Sequence, residues 1–512
     1  MAEESVVDPG DDAEVIVIGA GMSGVAAAIS LRGAGFDDVV VLEKSSRPGG
    51  TWRDNTYPGC GCDVPSLLYE YSFAPHPWSR GFAPQPEILD YVESTAATHG
   101  VNKLIRYDTE VEAGRWDPDT HRWYLRTSAG PRTARTVILA TGPWHRPRHP
   151  DIPGLDAFPG TVFHSARWNH DVDLAGRRVA VVGTGASTVQ FLPEIQPRAA
   201  RIDVFQSTPQ WVLPKPDYAL PPALHRFLGR HPSARGALRG VHYWTQEAIG
   251  ALMRHPRLLP PLEAAARRHL RTSVPDPALR ETLTPRYRLG ARRLIASDTY
   301  YPALTRPNVH LHPTRVTAVH GHDVIGADGT RAPADVIILA TGYHIGDLPL
   351  APHLHGAEGA TLAHTWSDNR RAYLGTSVSG YPNLFLLVGP NLLSGTTAVP
   401  TVLEAQLRYI TAALTHLRTR GHTAMDVRPE AEEAHHTAVQ RALRTTVYNS
   451  ADNSSYYFGV PGVNTFCWPW STRRLVRRLH SFEAGAYTWS GTALKATTPG
   501  HCSERVVFGY GN

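Results

Sequence analysis

The stretch Val15-Ile-Val-Ile-Gly19-Ala-Gly21-Met-Ser-Gly24 constrains what this chain can fold into more than any other. Residues 14–18 form a short continuous apolar run, the pattern of a central parallel strand covered on both faces. Gly19, Gly21 and Gly24 then follow with G-x-G-x-x-G spacing, and an alanine-rich helix is expected over residues 25–32. In such a turn the first glycine permits the bend and the second lets backbone approach a pyrophosphate. The third lets the helix pack closely on the strand, with phosphates at the helix N-terminus. A second strand, residues 39–42, ends at Glu43. A carboxylate there accepts from ribose hydroxyls and repels a 2′-phosphate, so the site favours FAD or NAD over NADP.

A second unit of this kind opens with a strand at residues 179–182 and Gly183-Thr-Gly185-Ala-Ser187, with Ala186 or Ser187 expected at the third position in place of glycine. The next strand, residues 202–205, leads to Gln206-Ser207-Thr208, and no carboxylate ends it. A 2′-phosphate is therefore not excluded. Two turns can hold two dinucleotides, and the segment joining them must let the two domains move.

A chain of 512 residues is too long for one core, so two or three domains are expected. A hydrophobic content of 42% with 19% charged residues describes a globular protein. The net charge of +5 comes without a lysine or arginine block, so no nucleic-acid footprint is indicated. Cys60, Cys62, Cys467 and Cys502 do not make a disulfide scaffold in a chain this size. The Cys60-Gly-Cys62 pair is C-x-C, whereas flavin disulfide reductases usually carry C-x-x-C or longer spacing. The apolar run over residues 15–31 has an acidic flank and internal glycines, against a signal anchor, so a cytoplasmic protein outside the membrane is expected. Residues 1–12 read as a loose tail, and no metal site is called for.

Three further motifs carry a family resemblance. Phe158, Gly160, His164 and Trp168 lie between the two turns with F-x-G-x-x-x-H-x-x-x-W spacing, which resembles the fingerprint of type I Baeyer–Villiger monooxygenases. Gly49-Gly50-Thr51-Trp52 through Tyr57-Pro58-Gly59 to Asp63 resembles the segment that lies along the flavin in that family. Residues 289–304 resemble its G-C-K-R-x-x-x-x-D-x-Y-Y-P-A-L stretch, with Ala291 for cysteine and Arg292 for lysine, and Arg293 falls on the family's active-site arginine. The likeness spans roughly residues 14–475. Departures are Ser207, where the family has an NADPH-selecting arginine, Asn169 after Trp168, and Tyr456 in place of the tryptophan of a mobile S-W-Y loop.

The resemblance implies an α/β fold with two Rossmann-like dinucleotide-binding domains and a helical insertion. The FAD-binding domain would comprise residues 1–145 and 345–512. The NADP-binding domain would comprise 146–212 and 290–344, including a linker at 146–177, and the insertion at 213–289 would cap the substrate cavity. The strand at 335–340 with Thr341-Gly342-Tyr343 would return the chain to the flavin domain. FAD contacts are expected from Gly19, Gly21, Gly24, Glu43, Gly50, Thr51, Trp52, Asp63 and Asn391, and NADP contacts from Gly183, Gly185, Ser187, Thr208 and Arg292. The implied reaction converts a ketone and O2 to an ester or lactone through a C4a-peroxyflavin. Arg293 would be the active-site cation, Asp63 its partner, and His164 a hinge or network residue of the linker. The competing readings are a flavin monooxygenase acting on sulfur or nitrogen, and a pyridine nucleotide-disulfide reductase. Oligomeric state is not legible.

Overall fold

The computed structural model describes residues 12–450, 455–459 and 462–491. The expected tail, apart from Asp12, lies outside the described residues, as does Cys502. The first sheet contains β1 (Asp12–Ile18), β2 (Val39–Leu42), β3 (Ile105–Arg106), β4 (Val111–Asp117), β5 (Arg122–Thr127) and β6 (Gly130–Leu139), in the order β4-β5-β6-β1-β2-β3. β6 joins two architectures: Gly130–Ala134 pair antiparallel with β5, while its later residues run parallel to β1 and to Leu384–Leu386. Helix α1 (Met22–Gly33) is buried from Met22 to Leu31. A helix without a polar face needs cover all round, and α1 receives it from the sheet and from helix Val399–Arg420.

The second sheet is entirely parallel. It comprises β7 (Thr161–His164), β8 (Arg178–Val182), β9 (Arg201–Phe205), β10 (Val309–His312) and β11 (Val336–Leu339), in the order β10-β9-β8-β11-β7. β11 lies inside the span 290–344 read as nicotinamide-binding and belongs to the second sheet: Val336–Leu339 pair with Val179–Val182 on one side and Thr161–His164 on the other, so any return to the first sheet comes after this strand. All four β11 residues are buried, and an apolar run of this kind demands an interior position with both faces covered.

The segment joining the sheets is built on aromatic contacts. Phe163 meets Trp168 edge-on at 5.1 Å, and Trp168 packs 5.3 Å from Phe191 of helix α2 (Ala186–Ile195). His164 ends β7 and caps the turn Ser165–Arg167, its Nδ1 accepting the Ala166 N–H at 3.0 Å. The neutral ring therefore carries its proton on Nε2. Burial, helped by the neighbouring His149, pushes the His164 pKa down to about 4.

The insertion is helical as expected, with Pro222–Arg230, α3 (Pro232–Arg254), Pro260–Ser273 and Pro277–Leu283. Its basic character has a specific destination. Arg235 Nη2 lies 2.8 and 2.7 Å from the two carboxylate oxygens of buried Glu70, and Arg239 Nη1 donates to the Leu67 carbonyl at 2.7 Å. These contacts bind α3 to the segment after the first nucleotide unit.

Two tests follow from this packing. A Cβ at Gly24 would stand 1.8 Å from the Gly19 carbonyl oxygen. Overpacking a close contact costs about 1–3 kcal/mol, so Gly24→Ala should lower the urea unfolding midpoint by that equivalent; an unchanged midpoint would show that the contact is not tight. For His164 the folded pKa lies below its unfolded value of about 6.5. Its stabilising contribution is complete above that pH and is lost as pH falls toward about 4. His164→Asn, which removes the titration, should therefore show a shallower fall of melting temperature between pH 6.5 and 4 than the unsubstituted protein.

Candidate active site

A cavity opens at the first glycine turn. Gly19 has φ +106°, and Gly21 caps α1 with φ −74° and ψ −171°, without a side-chain cap or an acid in the first turn. The helix N-terminus therefore presents free N–H groups and the positive end of its dipole. Gly50 faces Gly21 so closely that a Cβ on it would lie 3.1 Å from the Gly21 Cα. Thr51, Trp52, Tyr69 and Trp144 continue the wall. Trp52 Nε1 donates to the Tyr69 hydroxyl at 3.1 Å, with the rings edge to face at 5.5 Å.

Glu43 lines the cavity and also clasps the turn. Its Oε2 accepts from the Ala20 N–H at 2.7 Å; its Oε1 accepts from Ser45 at 3.0 Å and pairs with Arg53 at 3.1 Å. Two more elements complete the cavity, Val388 and Val399, the latter at the N-terminus of helix α4 (Val399–Arg420), which also lacks a side-chain cap and a first-turn acid. This donor set fits a dinucleotide pyrophosphate: uncapped helix N–H groups, facing glycines, and a carboxylate already balanced by Arg53. Gly24 lies beneath the turn, outside the cavity. Asn391 does not line it either; its amide donates to the carbonyls of Asn464 at 2.7 Å and Cys467 at 3.1 Å.

The second turn repeats the first almost to the degree, with Gly183 at φ +108° and Gly185 at φ −74°, ψ −170°. The third position belongs to Thr188, five residues after Gly183 as Gly24 is after Gly19, and neither Ala186 nor Ser187 holds it. Buried Thr188 donates its hydroxyl to the Gly183 carbonyl at 2.8 Å. A hydrogen bond thus replaces the close packing that glycine provides in the first unit. Like α1, α2 has no side-chain cap and no acid in its first turn, and nothing lies within 4 Å of a Cβ built on Gly185. Ser187 stands beside the Tyr57 hydroxyl. After β9, Ser207 is exposed, and the Thr208 carbonyl accepts from Gln210 at 3.2 Å. Gln210 in turn accepts from the Tyr287 hydroxyl at 3.3 Å, and the Arg292 guanidinium stacks 5.1 Å over the Tyr287 ring. Thr208 and Arg292 therefore meet through Gln210 and Tyr287.

Asp63 and Arg293 come together between the two turns. Arg293 Nη2 lies 3.6 Å from Asp63 Oδ2, and the guanidinium stands 5.8 Å over Trp144 of the cavity wall. Burial opposes the Arg293 charge, but Tyr456 and Asp63 more than offset it, and its pKa is raised. The Tyr456 phenol is pushed up to about 12 by burial, with Arg293 acting the other way, so it remains a protonated donor. Sequence reasoning missed Trp144 and also Gln190, whose Nε2 donates to Asp63 Oδ1 at 3.3 Å. The available signal for Gln190 was one amide among the apolar residues Val189, Phe191 and Leu192 of the helix. His164 is enclosed by His149 at 5.4 Å and Tyr343 at 6.2 Å, and it does not line the cavity.

Cys60 and Cys62 are buried, unlinked, and outside the cavity wall. Burial pushes both thiols up to about 12, so neither supplies the thiolate that disulfide exchange requires.

Comparison with known proteins agrees with this geometry. Residues 13–228 match the family described as pyridine nucleotide-disulphide oxidoreductase. A Baeyer–Villiger monooxygenase of Streptomyces coelicolor is 44% identical, covering 95% of this chain and 94% of that protein. One from Pseudomonas aeruginosa is 37% identical, covering 94% and 92%. Among solved structures, an oxidised steroid monooxygenase bound to NADP superposes with a TM-score of 0.83 at 29% identity, covering 94% of this chain and 99% of that one. OTEMO in complex with FAD and NADP gives 0.82 at 27% identity, covering 93% and 99%. No helix among the described residues is long and apolar enough to cross a membrane. With relatives this similar over nearly their whole length, the chain belongs to the Baeyer–Villiger monooxygenases.

Proposed function

We propose that this monooxygenase binds FAD in the cavity at the first turn and NADPH at the second, and inserts one oxygen atom beside a ketone carbonyl. One atom of O2 enters the bond between the carbonyl carbon and its neighbour, giving an ester or lactone. The other leaves as water, with a hydride from NADPH and a proton from solvent closing the balance. Bound FAD would supply the activation of dioxygen, chemistry that no side chain here provides. The two sheets support dividing the chain into a flavin domain (1–145, 345–512), a nicotinamide domain (146–212, 290–344) and a helical cap (213–289).

The observation that carries this reading is the Asp63–Arg293 pair, held at 3.6 Å with Arg293 over a wall residue of the first cavity. Oxygen transfer to a carbonyl develops negative charge on oxygen, and a fixed cation at that point lowers the barrier. Arginine keeps its charge under partial burial, and a carboxylate on one side of its fork fixes the direction of the remaining N–H donors. The protonated Tyr456 phenol adds a neutral donor beside it. At the cofactor, Gly21 and Gly50 admit the pyrophosphate, Glu43 offers an acceptor to ribose hydroxyls, and Trp52, Tyr69 and Trp144 exclude water. His164 holds the linker as a neutral ring.

The direct test is a purified, FAD-loaded preparation given NADPH, O2 and a panel of ketones beside a thioether, with products identified by mass spectrometry. Ester formation with little sulfoxide supports the reading; sulfoxide alone would move the protein to the sulfur-oxidising class. Arg293→Ala should keep FAD bound and lose about 10²–10³-fold in ester formation, the scale for one oxyanion donor; wild-type rates in that variant would remove the role. Arg292, reaching Thr208 through Tyr287, is the cation for a 2′-phosphate. Arg292→Ala should raise the NADPH KM about ten-fold, as for a lost charge-assisted hydrogen bond, and leave the NADH KM unaltered. Equal effects on both cofactors would dismiss that assignment.

A further inference from the structure

The loop that carries Asp63 is fastened to the second nucleotide unit at one residue. Gln190 sits in the second turn of α2, whose first turn begins at Gly185. Its Oε1 accepts from the buried Tyr57 hydroxyl at 2.8 Å. Its Nε2 donates to the Gly61 carbonyl at 3.0 Å and to Asp63 Oδ1 at 3.3 Å. The Gly61 carbonyl can only accept, so the amide orientation is determined, and both N–H bonds and the carbonyl are engaged. The backbones meet at the same place: Gly59 has φ +74°, and a Cβ on it would lie 2.5 Å from the Gln190 carbonyl oxygen. Tyr57 also packs edge-on against Phe191 at 6.2 Å.

We propose that Gln190 is a positioning residue that couples occupancy of the second dinucleotide turn to the placement of Asp63, and through it Arg293. The role of Arg293 in this inference rests on the proposed function. The geometry gives the coupling its mechanism. A dinucleotide at the Gly183–Gly185 turn bears on the N-terminus of α2, and a helix transmits displacement as a rigid body over one turn. The Gln190–Asp63 bond is at the long end of hydrogen-bond distance, so a shift of a few tenths of an ångström tightens or breaks it. Asp63 faces Gln190 with one oxygen and Arg293 with the other, so movement of α2 changes the direction of the fork. The fixed cation is thereby ready when the nicotinamide unit is filled.

Two measurements test this. In the first, NADP+ affinity is determined by calorimetry for the FAD-loaded protein and for Gln190→Leu, Asp63→Ala and the double variant. Each single change should weaken binding about five-fold, the worth of one hydrogen bond of ~1 kcal/mol, and the double variant should be no weaker than the worse single one. Additive losses, or none, would overturn the coupling. This readout does not involve oxygenation, so a protein that oxidises no ketone would sink the function while leaving the coupling intact. In the second, Gln190→Glu keeps the acceptor for Tyr57 and sets a carboxylate against Asp63. Like charges at that distance repel, so the FAD-loaded variant should lose about five-fold or more in NADP+ affinity. A lower melting temperature with unaltered NADP+ affinity would reduce Gln190 to a structural tie.

Discussion

Three helix N-termini left open, two of them at turns of the same geometry, are the constraint on which this molecule depends. α1 and α4 present theirs to one cavity, and α2 repeats the turn of α1 with its N-cap dihedrals matching to about a degree. An uncapped N-terminus in a folded protein carries unsatisfied donors and roughly half a positive charge. Those groups are tolerated because the turns expose them to a space shaped for an anion. Acids are absent from these three first turns, and Glu43, the carboxylate bonded to the Ala20 N–H of the first glycine turn, is shared between that group, the Ser45 N–H and Arg53.

Keeping two such sites in register requires connections that a pair of independent sheets would not have. They are polar and lie partly or wholly out of solvent. Glu70 receives Arg235 from the insertion, Glu247 of α3 accepts the Thr472 N–H at 2.8 Å, and Gln190 crosses from α2 to the Asp63 loop. Buried polar contacts of this kind are specific because a slipped partner leaves a desolvated charge or donor. The aromatic chain Phe163–Trp168–Phe191–Tyr57 fills the space beside them without fixing direction. The fingerprint segment is therefore part of the packing that seats α2, and its histidine is a neutral cap within that packing.

Much of this was legible in the residues. The apolar run before each turn, the glycine spacing and the alanine-rich helix report local backbone sterics, and each appears in the structure within a few residues of its expected place. The helical texture of residues 213–289 was also readable. Less legible were the elements whose meaning depends on a partner. Residues 336–339 are apolar enough for either sheet, and their interior place between β7 and β8 comes from pairing across distant segments. The third position of the second turn reads as Ala186 or Ser187 until the Thr188 hydroxyl is seen on the Gly183 carbonyl.

The sequence by itself determined two strand–turn–helix units with anion-accepting helix ends, because a positive φ, a close helix–strand approach and a fully apolar strand are properties of a few consecutive residues. Tertiary structure decided which charges meet. Asp63, Gln190 and Arg293 come from three separated segments, and Arg235 finds Glu70 from a basic helix offering many arginines. Nothing in local spacing selects among such partners; that choice is made by the packing of the two sheets, which brings one amide and one guanidinium to opposite sides of a single carboxylate.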